Sequence, residues 1–572
     1  MGEEHGAAEL SDVERIKLES RGLYGTLAQE LANDASHLSD DAKQVLKFHG
    51  SYEQEERDQR RERKKAGLEP AWQFMVRSKI PGGFLTAEQY LAHDDLAGRF
   101  ANQTLRVTTR QDFQLHGVIK RDLRRTIGAL NEALITTLGA CGDVVRNVLS
   151  CPAPVSGGLR SEVLEVTQRV SQHLLPTTRA YHEIWVEGEL AAGGEPEPDP
   201  VYGTNYLPRK FKTAIAFPDD NCTDVFSNDL GLVVIQHAGH LTGFNVLVGG
   251  GLGRTHGKED TYPRLASPLA FVTPEQVVEI ATAVVVVQRD YGNRSDRRRA
   301  RLKYLLDERG VDWFREQVER VLGRRLEPPH AVEVTGIHNH LGWHRQSDGQ
   351  WFLGVFIENG RIRDTANCQM RAGLRRVIET MRPGVRLTPQ QNLLLTDVPT
   401  RQRRELDQIL ADHGVPVAGD LPLVRTWSMA CPALPTCPLA LAESERALPG
   451  VLDELQVELQ RLGLLGEELT VRMTGCPNGC ARPYTADIAF VGRSLDKYAI
   501  YVGGNLEGTR LATPYADLVP RQRVVSALVP LLERYRTARF PGERFGDFCH
   551  RSGPTVLEAV RDLAAERVAA QA

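Results

Sequence analysis

The chain lacks the features that would place it in a membrane or on nucleic acid. Its longest apolar run, around Ile280 to Val287, is far shorter than the roughly 20 residues that a membrane-spanning helix needs. The formal net charge is -4 over 572 residues, so no excess of positive charge predicts a nucleic-acid partner. The charged first residues also lack the apolar stretch of a secretory signal. We therefore expect a cytoplasmic protein with no nucleic-acid and no membrane partner.

Nucleotide-binding motifs are missing as well. A glycine-rich stretch, Gly249 to Gly253, follows a predicted strand, but Arg254 occupies the last glycine position of a dinucleotide fingerprint. The Gly257-Lys258 pair is followed by Glu259, which excludes a phosphate-binding loop. The chain is not expected to bind a flavin or a nicotinamide itself.

What the chain does have is a paired set of cysteines. Its cysteine count is odd, nine, which argues against a closed disulfide framework. Four of them form two tight pairs, Cys431 with Cys437 and Cys476 with Cys480, and four thiolates suit tetrahedral zinc or a cubane iron-sulfur cluster. Five intervening residues with two prolines fit zinc poorly, whereas a proline directly after cysteine is typical of cluster loops. Zinc and four unliganded buried cysteines remain the alternatives. The other cysteines are scattered: Cys141, Cys151, Cys222, Cys368 and Cys549.

The sequence also repeats itself weakly. The stretch Arg106 to Asp112 is similar to Arg386 to Asn392, and Cys151-Pro-Ala is repeated as Cys431-Pro-Ala. Both second copies lie 280 positions later. A third echo, Ile215-Ala-Phe217 against Ile488-Ala-Phe490, has a slightly different offset. Short β-rich runs alternate with helical ones, so the class is mixed α and β. We predict two related halves about a pseudo-twofold axis, in which one half holds metal and the other an anion.

Basic residues with a shared orientation predict the anion site. Lys210 and Lys212 alternate on a strand and therefore point to one face, and Arg106 and Arg110 are spaced to do the same. By contrast, no carboxylate pattern accompanies His338, His340 and His344, which are expected to be solvated loop residues.

The motifs together resemble one family over nearly the whole chain. CPALPTCPLA and TGCPNGC resemble the two cluster motifs of the nitrite and sulfite reductase family, in its sulfite-reducing haemoprotein branch. FMVRSKIPGG, LRVTTRQDFQLHG, RNVLSCP, YLPRKFK, GFNVLVGGGLG, RDYGNRSDRR and FGDF are similar to that family in its order, from about residue 10 to about residue 550.

The resemblance implies an α+β, pseudo-twofold duplicated fold in three domains, with the cofactors in a shared cleft. The segments it implies are an extension over 1–67, a ferredoxin-like half-domain over 68–138, a sirohaem- and anion-binding domain over 139–330, a second ferredoxin-like half-domain over 331–415, and a cysteine-bearing reductase domain over 416–572.

The resemblance also implies the cofactors and their residues. In the family the four paired cysteines bind a [4Fe-4S] cluster, and the last of them, Cys480 here, is also the axial ligand of a sirohaem iron. The positions that match sulfite-binding residues are Arg77, Arg146, Lys210 and Lys212. Those that match the sirohaem carboxylate-binding stretch are Arg106, Thr108, Arg110, Gln114 and His116. Gln390 and Asn392, from the second repeat, are assigned to haem contact.

The implied activity is the six-electron reduction of sulfite to sulfide in sulfate assimilation and cysteine biosynthesis. The implied electron donor is a separate protein, either an NADPH-dependent flavoprotein subunit or a ferredoxin. Two other functions stay open: a ferredoxin-dependent nitrite reductase of the same family, and a non-catalytic iron-sulfur electron-transfer scaffold.

Overall fold

The computed structural model describes residues 10–155, 157–177, 184–186, 189–192 and 198–570. Residues 1–9 lie outside the described residues. They belong to the predicted extension over 1–67 and to the charged start of the chain, where no secretory signal was expected. Among the helices of the described part, none is long and apolar enough to cross a membrane. The longest apolar run of the sequence instead lies in a helix, Val277–Tyr291, whose apolar side chains are buried in the core.

Four five-stranded sheets and one hairpin form the described framework. Sheet A has the order β1-β2-β5-β4-β15, sheet B β13-β14-β17-β16-β3, sheet C β12-β11-β10-β9-β6 and sheet D β22-β21-β20-β19-β18, while β7 pairs with β8. The strands are β1 Ser51–Glu55, β2 Trp72–Arg77, β3 Phe84–Leu85, β4 Leu105–Val107, β5 Phe113–Val118, β6 Val145–Leu149, β7 Ile184–Val186, β8 Glu189–Ala192, β9 Phe211–Ala216, β10 Leu230–His237, β11 His240–Val248, β12 Ser267–Val272, β13 Gly342–Arg345, β14 Trp351–Val355, β15 Arg361–Ile362, β16 Gly384–Leu387, β17 Leu393–Val398, β18 Ser428–Ala430, β19 Val471–Thr474, β20 Ile488–Ser494, β21 Lys497–Val502 and β22 Thr513–Pro520.

Helices cover the faces of these sheets and close the core. They are α1 Asp12–Glu19, α2 Leu27–Ala32, α3 Asp40–Leu46, α4 Arg60–Lys65, α5 Ala87–Phe100, α6 Lys120–Glu132, α7 Leu159–His173, α8 Val277–Tyr291, α9 Leu302–Arg309, α10 Val311–Leu322, α11 Met370–Met381, α12 Arg403–Asp412, α13 Leu423–Thr426, α14 Leu448–Leu462, α15 Val524–Ala538 and α16 Phe545–Ala570. The sequence encodes these ends locally: α5, for example, begins with a capping box in which Thr86 and Gln89 bond each other's backbone.

The duplication predicted from the offset of 280 is confirmed in the backbone. In the turn between β4 and β5, the Thr108 hydroxyl accepts from the Asp112 amide at 3.1 Å, and in the turn between β16 and β17 the Thr388 hydroxyl accepts from the Asn392 amide at 3.0 Å. Gln111 and Gln391 occupy the same left-handed conformation, with φ of 56° and 66°. The two turns are therefore one structure used twice, as the pseudo-twofold prediction required.

Each half lends a strand to the other. β3 of the first half pairs with β16 in sheet B, and β15 of the second half pairs with β4 in sheet A. The exchange needs glycine at two related positions: a Cβ on Gly83 would lie 2.3 Å from the Leu387 carbonyl, and a Cβ on Gly360 would lie 2.3 Å from the Val107 carbonyl. The halves are interlocked rather than merely adjacent.

Sheets C and D repeat the same order, and they show that the third sequence echo was wrong. In sheet C, Leu230 of β10 pairs with Thr213 of β9; in sheet D, Ile488 of β20 pairs with Val471 of β19. The equivalent of Ile488 is therefore Leu230 and not Ile215, and the offset of this pair of sheets is 258 positions. The short Ile-Ala-Phe match arose because buried parallel strands draw on the same few apolar residues.

Candidate active site

The four paired cysteines converge beyond the carboxyl ends of two parallel strands. Cys431 directly follows β18, and Cys476 follows β19 by one residue, with Cys437 and Cys480 on the same two loops. The pocket wall around Cys431 and Cys437 is apolar and consists of Met429, Ala433, Leu434, Ala440 and Ala481. Cys431 and Cys476 are buried, Cys437 is half-buried and Cys480 is exposed.

Gly475 keeps the two cysteine loops close together. A Cβ at this position would lie 2.5 Å from the Ala433 Cβ and 2.5 Å from the Ala442 carbonyl. Its amide donates to the Cys431 sulfur at 3.3 Å, and the Asn478 side-chain amide donates to the Cys476 sulfur at 3.5 Å. Such N–H···S bonds stabilise thiolates that are bound to metal and help to set their potential.

The spread of the quartet fits a cubane better than a single ion. Within the described residues, the paired cysteines form no group of three or more ligand atoms that all lie within 4.8 Å of one another. Such a group exists elsewhere in the described part of the chain. One tetrahedral zinc would hold four sulfurs about 3.8 Å apart, whereas in a cubane each thiolate binds a different iron. Burial and the neighbouring Cys480 raise the pKa of Cys437 to about 11, so metal binding at this pocket must displace thiol protons.

Next to Cys480 lies a cluster of cations without partners. Lys210 and Lys212 are half-buried, and within the described part of the chain neither forms a salt bridge. Burial, and then the like charge of Lys212, lowers the pKa of Lys210 well below its ordinary value. Burial, and then Arg110 and Arg301, lowers the pKa of Lys212 to about 7, an effect that the nearby Cys480 partly opposes. Two unpaired ammonium groups in one cleft are costly unless an anion joins them.

Arg77 and Arg146 line the same cleft. Arg146 donates to the Tyr52 hydroxyl at 3.2 Å, and Arg77 donates to the Cys141 sulfur at 3.2 Å. Arg77 also lies against the Gln114 amide, which accepts from it once its oxygen faces the guanidinium. None of these partners is a carboxylate, so both guanidinium charges remain available to an anionic ligand.

Most side chains of the stretch predicted to hold haem carboxylates already have partners within the protein. Arg106 is buried and forms a salt bridge with Glu445, which also pairs with Arg361 at 2.7 Å. Arg110 donates to the Asn228 side chain at 3.1 Å and to the Asn147 and Thr213 carbonyls. Thr108 shapes the turn described above, and His116 lies beside Gln54 and Gln114. The assignment of these residues to a haem stays a prediction.

Gln390 and Asn392 lie at the second-half turn. The Gln390 side-chain nitrogen donates to the Cys222 carbonyl at 3.1 Å, while its buried oxygen has no partner. The Asn392 oxygen accepts from the Ile357 amide at 2.9 Å. The unmatched Gln390 oxygen is available to a ligand, whereas the Asn392 side-chain oxygen is bonded within the fold.

Sequence reasoning singled out neither Arg209 nor Glu445 at this site. Arg209 and Arg301 belong to the set of positive charges that acts on Lys210. Arg209 could have been found from its place beside Lys210 in the Arg-Lys-Phe-Lys stretch. Glu445 had no such signal, because it lies 339 positions from Arg106 along the chain.

The comparisons with known proteins agree with this geometry. The model of the nitrite and sulphite reductase 4Fe-4S domain matches residues 165–326 and 426–568, and the model of the nitrite/sulfite reductase ferredoxin-like half domain matches residues 70–133 and 344–413. The chain is 47% identical to the sulfite reductase [NADPH] hemoprotein beta-component of Geobacillus kaustophilus, over 96% of this chain and 97% of that protein. It is 46% identical to the protein of the same name from Chromohalobacter salexigens, over 95% and 96%. The solved structure of the Mycobacterium tuberculosis NirA protein superposes with a TM-score of 0.78 at 25% identity, over 96% of this chain and 98% of that chain.

Proposed function

Because the chain belongs to the nitrite and sulfite reductase family, we propose that it catalyses the assimilatory reduction of sulfite to sulfide. It is an oxidoreductase that uses a [4Fe-4S] cluster and a sirohaem. The observation that carries the proposal is the cleft in which Lys212, without a salt-bridge partner among the described residues, lies near Cys480, the one exposed cysteine of the quartet. A cluster-only electron carrier would have no use for this charge.

The cysteine quartet is the proposed binding site of the cluster. Cys431, Cys437 and Cys476 would hold the cluster, and the exposed Cys480 would serve both the cluster and the sirohaem. When bound, the two cofactors would supply the electrons for the reduction one at a time. A shared thiolate suits this chemistry, because six electrons must reach the same sulfur before it leaves as sulfide.

The cations of the cleft hold the substrate and move its protons. Arg77, Arg146, Lys210 and Lys212 bind the sulfite oxygens and offset the dianionic charge. As each S–O bond breaks, its oxygen takes two protons and leaves as water, so that one sulfite consumes six electrons and six protons to give sulfide and three waters. Lys212 is suited to deliver protons near neutral pH, since burial and its cationic neighbours lower its pKa to about 7.

The remaining assignments follow the fold. Sirohaem carboxylates are proposed to meet the basic side of the cleft, contributed by Arg106, Thr108, Arg110, Gln114, His116, Gln390 and Asn392. The chain is proposed to divide into the extension 1–67, ferredoxin-like half-domains 68–138 and 331–415, and reductase domains 139–330 and 416–572. A flavoprotein subunit that oxidises NADPH is the proposed electron donor, since the relatives are named as NADPH-dependent sulfite reductase components.

The test is reduction by the purified holoprotein with methyl viologen as donor. We expect sirohaem absorption bands, acid-labile sulfide and steady production of sulfide from sulfite. The Lys210→Ala variant should keep both cofactors and lose sulfite turnover, whereas Lys497→Ala, at an exposed position on β21, should behave as the parent. Faster turnover of nitrite than of sulfite would favour the nitrite reductase alternative, and a protein without sirohaem bands would contradict the proposal.

A further inference from the structure

A second group of metal-ligating side chains lies outside the proposed active site. Cys151, Asp220, Cys222 and His340 present one ligand atom each, and these four atoms all lie within 4.8 Å of one another. The Cys151 sulfur is 2.9 Å from the Asp220 carboxylate and 3.4 Å from the His340 Nε2, which is 3.1 Å from the same carboxylate. All four residues are buried, with exposed fractions of 8%, 0%, 1% and 6%.

Three separate pieces of chain meet at this group. Cys151 lies just beyond β6, Asp220 and Cys222 lie beyond β9, and His340 ends the segment that leads into β13. That segment, 328–341, has no regular secondary structure, yet it is held closely: the Gly336 carbonyl accepts from the Asn221 amide at 2.9 Å. His340 takes a left-handed conformation with φ of 56°, which is uncommon for residues other than glycine. A long loop fixed in this way needs a stabilising contact.

The group occupies the pseudo-twofold equivalent of the cluster pocket. Cys151 corresponds to Cys431 at the offset of 280 that relates the two repeats. Cys222 corresponds to Cys480 at the offset of 258 that relates sheets C and D. Two of the four cluster cysteines therefore have counterparts here, and Asp220 and His340 complete a set of four.

The spacing of the ligand atoms suits one ion rather than a cluster. A tetrahedral zinc site places sulfur, nitrogen and oxygen ligands about 3.3 to 3.8 Å apart. The atoms of Cys151, Asp220 and His340 lie 2.9 to 3.4 Å from one another, and the Cys222 sulfur lies within 4.8 Å of each. Two cysteines, a histidine and a carboxylate are also the ligand types that zinc accepts. A cubane would need its thiolates further apart, since each binds a separate iron.

The charges of the surroundings also suit a divalent cation. Arg160 donates to the Asp220 carboxylate at 3.2 Å and rests on the Phe217 ring. Two thiolates and one carboxylate carry three negative charges, which a zinc ion and Arg160 would balance with a neutral His340.

We propose that Cys151, Asp220, Cys222 and His340 bind a single structural zinc ion that fastens the linking segment 328–341 to sheet C. Binding forms two Zn–S bonds, one Zn–N bond and one Zn–O bond, and any proton that a ligand atom still carries is released to solvent. No open position is left for substrate, so the ion stabilises the junction between the halves and takes no part in turnover.

The test measures zinc in the cofactor-loaded protein, where the four paired cysteines are occupied by iron. After expression with added zinc and gel filtration, elemental analysis should find about one zinc per chain beside full iron. Zinc K-edge absorption should show two sulfur neighbours at about 2.3 Å and two lighter ones at about 2.0 to 2.1 Å. The Cys222→Ser and His340→Ala variants should lose the zinc and keep the iron.

Two substitutions elsewhere in the chain serve as controls for the loss of zinc. His338→Ala changes an exposed histidine of the same segment, and Cys549→Ser changes a buried cysteine elsewhere, so both should keep the zinc. If Cys222→Ser does not fold, the parent protein still decides the matter through its zinc content and spectrum. Iron-replete parent protein with no zinc, zinc surrounded by four sulfurs, or a disulfide between Cys151 and Cys222 would each overturn the proposal.

Discussion

Replacing Glu445 by glutamine should destabilise the protein in a way that depends on pH. Glu445 pairs with the buried Arg106 and, at 2.7 Å, with Arg361, and so joins β4 of the first half to the loop between the two cysteine pairs. The substitution keeps the size of the side chain but leaves the Arg106 charge buried without a counter-charge. Breaking such a buried pair costs about 3 to 5 kcal/mol.

The pKa of Glu445 gives a similar magnitude for the contribution of this ion pair to the free energy of folding. Burial raises this pKa, but Arg361 and Arg106 outweigh burial and lower it from 4.5 to about 2. Because each factor of ten in an acid dissociation constant corresponds to about 1.4 kcal/mol, the ionised form contributes roughly 3 kcal/mol to folding. Since the folded pKa lies below the unfolded one, this stability is fully present above about pH 5 and is lost as the pH falls towards 2.

Urea-dependent pulse proteolysis of the cofactor-loaded protein measures the effect without relying on activity. At pH 7, Glu445→Gln should lower the free energy of unfolding by about 3 kcal/mol, and the difference from the parent should shrink between about pH 5 and pH 3. Glu443→Gln is the control, because its pair with Arg446 is partly exposed and should be worth less than about 1 kcal/mol. Equal losses in the two variants, or a Glu445→Gln loss that stays the same from neutral to acidic pH, would refute the reasoning.

Three further outcomes are expected. Lys212 has a pKa of about 7, so kcat/KM for sulfite should fall as the pH rises through about 7, and Lys212→Arg should remove that fall; an unchanged pH profile in the variant would contradict its role. Gly83→Ala and Gly360→Ala should each cost about 1 to 3 kcal/mol in urea unfolding, because each Cβ would meet a carbonyl of the other half, whereas Gly128→Ala in open space on α6 should be neutral or stabilising. Cys480→Ser should abolish turnover and change the sirohaem absorption spectrum; a normal spectrum with normal turnover would exclude the shared thiolate.

Much of the fold and the site could be predicted from the sequence, because the signals are local. The spacing of Cys476 and Cys480, with Pro477 directly after the first thiol, is a property of one loop and indicates a cluster before any fold is known. The two Thr-x-x-Gln turns can likewise be recognised in the sequence by their offset of 280. Both turns need the same threonine hydroxyl and the same left-handed glutamine, so the residues at these positions are alike.

Other features could not be predicted, because they depend on contacts between distant parts of the chain. His340 was expected to be solvated and is instead buried against Cys151 and Asp220, which lie 189 and 120 positions away in sequence. The sequence around His340 gives no sign of a carboxylate partner, because Asp220 lies on another loop.

The sequence by itself determined which cysteines can ligate a cluster and that the chain is built from two related halves. Only the tertiary structure decided which cations stay unpaired: Arg106 is neutralised by Glu445, whereas Lys210 and Lys212 are left facing the cleft. The reason is physical. Spacing along a chain sets direction and chemistry, but the charge that a buried group can offer depends on every neighbour that folding brings within reach.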